Sequence, residues 1–299
     1  MKRTIIIGNG FDLDAGLHTG YKNFAASDCW PFKDEQKMNE IEPLAYTLNV
    51  QAQLNTWFDV EEVLFQYAQK KTGYYTNDRL LPYDKQSFQR LLFSLENYLL
   101  REQANFTPNK GSVAESLMKV LTMKKMSDNT IYSFNYTDLN AIANKMGISK
   151  RIKFESIHGS LSKHDMILGV GDRHELRSDY YFLYKTMSPH FSSHHIIPDM
   201  QESDEVIFFG HSLGFNDYAY FQPFFNSQVR YGNYDPSKRK KIVIFTYNQD
   251  SAFEIKRNLR DLTGNDVNLL YSLNDFKIVC TDGTMPNEVA EIRNWMMYR

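Results

Sequence analysis

The stretch Thr4-Ile5-Ile6-Ile7-Gly8-Asn9-Gly10-Phe11-Asp12-Leu13-Asp14-Ala15-Gly16-Leu17-His18-Thr19-Gly20-Tyr21 decides the fold. An apolar, β-branched run of strand length breaks into a glycine-rich loop, as at the start of many α/β proteins. Glycine lets the chain turn sharply and brings bare N–H groups close to a phosphate or nucleotide. The spacing is not the dehydrogenase fingerprint, because Leu13 stands where the third glycine would fall.

Outward from this opening, further strand-like runs lie at 129–134, 151–157, 166–169, 205–209 and 241–246, with a weaker one near 276–280. Helix-like segments at 137–146, 217–229 and 249–262 follow several of them. The alternation predicts an α/β fold, a Rossmann-like, mostly parallel sheet flanked by helices. A large helical insertion is expected after the first strand, over about 25–125, where Trp57–Lys70 and Lys85–Arg101 carry apolar residues at helical spacing. A second, irregular insertion is expected over about 160–203, rich in aromatics and holding five of the eight histidines. No repeat, low-complexity tract or linker composition interrupts the chain, so 1–299 reads as a single domain.

With 299 residues, 42% hydrophobic and 14% aromatic, the chain can bury a substantial core. A formal charge of −2 gives no global electrostatic case for nucleic acid or an anionic membrane as partner. The two cysteines, Cys29 and Cys280, form no CxxC pair, which suits a reducing cytoplasm and excludes a four-cysteine zinc ribbon. The apolar run after Arg3 is too short for a signal peptide, and no stretch reaches membrane-helix length. A cytoplasmic protein without a membrane partner is expected.

In a parallel sheet, ligand groups gather beyond the carboxyl ends of the strands. Four such ends are polar here: Gly8 to Asp14, Ser133 to Asp138, Ile157 to Ser160, and Gly210 to Asp217. Turn chemistry explains any one of them as well as a ligand does, but four together predict a pocket. His158, after a β-rich run and before a glycine, reads as a base near neutral pH or as a buried histidine bound to backbone. Asn135 can orient a carboxamide, hold an attacking water, or cap the helix starting at Thr137 or Asp138. Asp12 and Asp14 would repel phosphate, so they suit a ribose hydroxyl or a cap. Gly210 and Ser212 suit close approach of a nucleotide, His211 can add charge beside a phosphate, and Asp217 serves a ligand or a helix cap.

Other groups carry weaker signals. Asp59, Glu61 and Glu62 open a helix whose residues 57, 60, 63 and 64 face a core, and either they are solvated or Glu61 or Glu62 reaches the pocket. His190, His194 and His195 lack a carboxylate or cysteine at helical spacing, so no metal is expected. Tyr180, Tyr181, Phe182 and Tyr184 either fill a core or stack a base.

In this order the motifs resemble the abortive infection AbiH family of bacterial antiphage proteins. The resemblance rests on GNGFDL at 8–13, Gly16-Leu17 with Tyr21, the acidic helix from Trp57 to Leu64, SFNYT at 133–137, IHGS at 157–160 and FFGHSLGFND at 208–217. The same series is more distantly similar to the sirtuin-type NAD-binding fold. Gly8, Gly10, Ala15, Gly16 and Leu17 match its glycine loop, Asn135 its TQN-x-D strand end, His158-Gly159 its base, and Gly210, Ser212 and Leu213 its GTSL loop. Thr137 stands where the aspartate of that strand end would be, with Asp138 one place late, and the zinc-ribbon cysteines are missing.

That resemblance implies NAD as substrate or ligand. It puts cofactor contacts on Gly8, Asn9, Gly10, Phe11, Asp12 and Gly16 in the first loop, Thr137 and Asp138 in the second, and Gly210, His211, Ser212 and Asp217 in the last. It implies cleavage of the nicotinamide–ribose bond, with Asn135 positioning nicotinamide or water, His158 as base, and the N–H groups of Gly8 to Gly10 holding pyrophosphate. A nucleotide-binding sensor or partner-binding defence subunit without turnover is the alternative. A metal-dependent nuclease using Asp12, Asp14 and a carboxylate of the Trp57 helix is a further one. A free-running NAD hydrolase would harm its host, so a gate is expected: a phage-derived trigger, a regulatory partner or homo-oligomerisation.

Overall fold

The first strand, β1 (Arg3–Ile7), is buried along its whole length. Burial on both faces is the condition of a central parallel strand, and it is why the run is apolar without alternation. The computed structural model describes residues 2–33, 42–55, 58–70, 78–122, 129–230, 235 and 239–283. By internal contacts the chain divides into two compact units, one of residues 1–17, 107–157 and 193–299, the other of residues 18–106 and 158–192.

In the first unit β1 pairs in parallel with β2 (Asn129–Ser133) on one side and β4 (Glu205–Phe209) on the other. The two-residue β3 (Glu155–Ser156) extends the sheet beyond β2, and β5 (Lys241–Thr246) and β6 (Asp275–Cys280) extend it beyond β4. The order is β3-β2-β1-β4-β5-β6, all parallel among the described residues. This is the doubly wound arrangement with its switch point between β1 and β4. Ile7 stands level with Ser133 and with Phe209, so the loops after β1, β2 and β4 start at one height. One face carries an aromatic core in which Phe208 stacks on Phe225 at 5.7 Å and Phe221 packs against Phe134 and Phe208.

The strand expected at 151–157 shortens to Glu155–Ser156. Asn140, on the helix Leu139–Lys145, accepts the Ile152 N–H through Oδ1 and donates Nδ2 to the Ile152 carbonyl, so that residue's backbone pairs with a side chain and not with a strand. Helices expected at 137–146, 217–229 and 249–262 are found at Leu139–Lys145, Tyr218–Gln228 and Gln249–Leu262. The last is capped by Asn248, whose side chain accepts the Ser251 N–H.

The second unit holds most of the helical insertion: α-helices at Tyr21–Ala26, Pro43–Leu54, Val60–Lys70 and Leu81–Asn105. Trp57 lies outside the described residues. The core of this unit contains a buried carboxylate, Asp84, which accepts the Tyr67 and Tyr180 hydroxyls at 2.7–2.9 Å and the Leu44 N–H at 3.3 Å. Burial first, and then Asp84, push the Tyr67 phenol above its ordinary range; the same groups act on Tyr180. The run 166–169 is not a strand. Met166, Ile167 and Leu168 are buried, but the segment makes a single isolated bridge, Val170 to Tyr184, next to Gly169 at φ +152°. Its apolar character reflects burial in the second unit, not membership of the sheet.

Candidate functional site

In the first unit the glycines of the first and last loops meet one another. A Cβ on Gly8 would lie 2.6 Å from His211 Cα, and one on Gly10 would lie 2.7 Å from Gly210 Cα. Gly210 itself has φ +66°, and a Cβ there would fall 2.4 Å from the Phe11 nitrogen. The two loops therefore pack backbone against backbone at the switch point. Their amides are spent on this contact: Gly8 N–H donates to Phe209 O and Gly10 N–H to Gly210 O, both at 2.9 Å. The N–H groups of Gly8 and Gly10, two of the three expected to hold pyrophosphate over Gly8 to Gly10, are thus engaged within the chain.

Beneath this contact lies a buried polar cluster. Asp12, 1% exposed on the short helix Asn9–Ala15, accepts Asn135 Nδ2 on Oδ1 at 2.7 Å and Thr137 Oγ1 on Oδ2 at 2.8 Å. Asn135 Nδ2 also donates to Gly8 O at 3.1 Å. Both neighbours of the amide nitrogen are acceptors, which fixes the orientation of the amide and commits both its hydrogens. Asn135 Oδ1 accepts no hydrogen bond from the described residues, although the residue is only 6% exposed. The Asn135 carbonyl is therefore an acceptor without a hydrogen bond from the described residues, and Asn135 is not the cap of the following helix. That cap is Asp138, whose Oδ1 accepts the Asn140 and Ala141 N–H groups.

The remaining residues of these loops have identifiable partners. Phe11 is core, with its ring edge-on to Phe209, and Asn9 is exposed. Gly16 has φ +105° and closes the first helix, a left-handed position that glycine fills without strain. Asp14 turns away from Asp12: its Oδ2 accepts the Ala114 N–H, and burial raises its carboxyl despite that bond. His211 accepts the Leu213 N–H on Nδ1, which puts the proton of a neutral ring on Nε2, 3.4 Å from Asp217 Oδ2. Phe134 and Phe221 meet the His211 ring edge to face. Asp217 sits at the N-cap position of its helix without a side-chain cap bond. Ser212 is exposed, and its carbonyl accepts from Asn258. Among the described residues no group of three or more His, Cys, Asp or Glu is placed to hold a metal ion.

In the second unit His158 is 5% exposed, and its Nε2 lies 3.2 Å from the ammonium of Lys185. Lys185, 4% exposed, also meets Glu61 Oε1 at 3.2 Å. Glu61, not Glu62, is the acidic residue of its helix that joins this cluster; Glu62 is exposed and accepts from Gln66. Asp59 Oδ1 accepts the Glu61 and Glu62 amides, while burial pushes its carboxyl up against those bonds and the Lys185 charge.

A sequence profile described as bacteriophage abortive infection AbiH matches residues 4–231. The chain belongs to the abortive infection AbiH family. It is therefore an antiphage abortive-infection protein, as the opening loop, the SFNYT, IHGS and FFGHSLGFND segments and the acidic helix imply. No curated protein matches the chain. The AbiH match takes in Asp12, Asn135, Thr137, His158, Lys185 and His211, and ends before β5 and β6. Among the described residues of this AbiH chain no helix is long and apolar enough to cross a membrane. Sequence reasoning passed over Lys185; the signal was there, a lone cation in the aromatic run Tyr180 to Met187.

Proposed function

We propose that this AbiH protein hydrolyses NAD at the nicotinamide–ribose bond in the cytoplasm, stopping growth of the infected cell by depleting the cofactor. The observation that carries the reading is the Asn135 amide. Its nitrogen is held by Gly8 O and Asp12, and its oxygen, at the carboxyl end of β2, is left to accept a hydrogen bond. That oxygen suits the N–H of a nicotinamide carboxamide, or a water about to attack the ribose C1′. The bond to nicotinamide breaks with its electron pair leaving on the pyridine nitrogen, and the water oxygen bonds to C1′. One water proton goes to a base. On the resemblance to sirtuin-type proteins that base is His158. Pyrophosphate has to be held by groups other than the Gly8 and Gly10 amides.

The test is nicotinamide release from NAD by purified protein, alone and with infected-cell lysate, for wild type, Asn135→Ala and His158→Ala, with circular dichroism as the check on folding. Release by wild type that disappears in both folded variants is the expected result. Release that survives in His158→Ala refutes the base. Tight NAD binding with no release under either condition makes the chain a nucleotide sensor instead.

A further inference from the structure

A buried ammonium needs acceptors for its protons and a counter-charge. Lys185 finds both within the second unit, with His158 Nε2 and Glu61 Oε1 each at 3.2 Å. The two residues are also held through their backbones by one strap: Ile167 N–H donates to His158 O at 2.8 Å, and Lys185 N–H donates to Val170 O at 3.0 Å. Between these two anchors Gly169 approaches Leu183 so closely that a Cβ would lie 2.2 Å from its carbonyl oxygen. The pairing of His158 with Lys185 is therefore built in, not a chance contact of two long side chains.

An ammonium has only protons to give, so the imidazole nitrogen facing it must present its lone pair. This makes Nε2 the acceptor and leaves the proton of a neutral ring on Nδ1. We propose that Lys185 masks the base: its ammonium occupies the lone pair of His158 in the resting protein, holding the ring neutral and out of use until the ammonium is withdrawn toward Glu61. The catalytic meaning rests on His158 being the base of the preceding reading; the masking itself does not. A proton on Nε2 would place a second positive charge at the same 3.2 Å, in a buried site where repulsion is weakly screened. Glu61, in contact with Lys185, and Asp59, just before the same helix, carry the opposite charge that softens its field.

The test follows the His158 imidazole by nuclear magnetic resonance in the full-length protein across pH, its signals identified by their loss in His158→Gln. Lys185→Met is expected to raise the midpoint of His158 by at least about one pH unit, a tenfold change in proton affinity. Glu61→Gln, which strips the counter-charge but keeps the ammonium, is expected to move it the other way. Opposite signs separate masking from mere loss of packing, and the second variant serves if the first fails to fold. Midpoints that do not move, or that move together, overturn the proposal.

Nicotinamide release is then measured without lysate for wild type and Lys185→Met, at a pH above every His158 midpoint found in that titration. Lys185→Met is expected to exceed wild type at least tenfold, and a rate below wild type overturns masking. Absence of release from every form, with or without lysate, overturns the hydrolase reading alone, while the titration still judges Lys185.

Discussion

Replacing Gly210 by alanine tests whether the two glycine loops are built for each other. Gly210 has φ +66°, where an L side chain costs about 1–2 kcal/mol. The added Cβ would also fall 2.4 Å from Phe11 N and 2.6 Å from Gly10 C and Cα, all backbone atoms that cannot rotate aside. Relief by shifting the loops is expected to cost roughly 1–3 kcal/mol more. The sum is about 2–5 kcal/mol, a fall in unfolding midpoint of roughly 4–20 °C for a unit of this size. Gly264 supplies the control, since it has nearly the same φ, +63°, with no atom within 4 Å of its Cβ position. Gly264→Ala should therefore lose only the conformational part, and thermal unfolding followed by circular dichroism compares the two. Equal losses would refute the argument, because the contact between the loops would then contribute nothing to the need for glycine at 210.

Two further outcomes follow from the buried carboxylates. Thr137→Val keeps the side-chain shape but removes the hydroxyl that donates to Asp12, and should cost about 1.5–3 kcal/mol in urea unfolding; Thr137→Ser should recover most of it. Tyr67 and Tyr180 have folded-state phenols raised by burial and by Asp84, so their contribution is complete below pH 10 and is lost as pH climbs above it. Stability should fall above pH 10 by at most about 1.4 kcal/mol per pH unit for each such phenol, and urea titrations from pH 9 to 11 should show a shallower fall in Tyr67→Phe.

The sheet was largely legible because its strands obey one rule. β1, β4 and β5 are buried on both faces, so they read as unbroken apolar runs, and their bounds fall within a residue of expectation. The same rule misled at 166–169, since burial against helices and burial in a sheet select the same residues. At 151–157 the sequence could not reveal that Asn140 takes up the backbone of Ile152.

For the site, Asp12, Asn135 and Thr137 each stand out singly at a strand end, yet their bonding spans 123 and 125 residues and has no local signature. The glycines were ambiguous for a steric reason. Glycine allows a close approach without saying by what, and here the visitor is another loop of the chain. Lys185 lies 27 residues from His158 in an irregular segment, with no periodicity to connect them.

The parallel order has a consequence for synthesis. β1 is the central strand, but Arg3 meets its partner Glu205 across 202 residues of chain. At bacterial elongation rates of about 5–20 residues per second, on the order of 10–40 s pass between translation of the first strand and that of its second neighbour. Throughout that interval Thr4 to Ile7 is an apolar ribbon with at least one edge unfilled, and with both unfilled until β2 has been made. Assembly of the loop after β1 against the loop after β4 is correspondingly late, so a product truncated or stalled before β4 cannot form that contact.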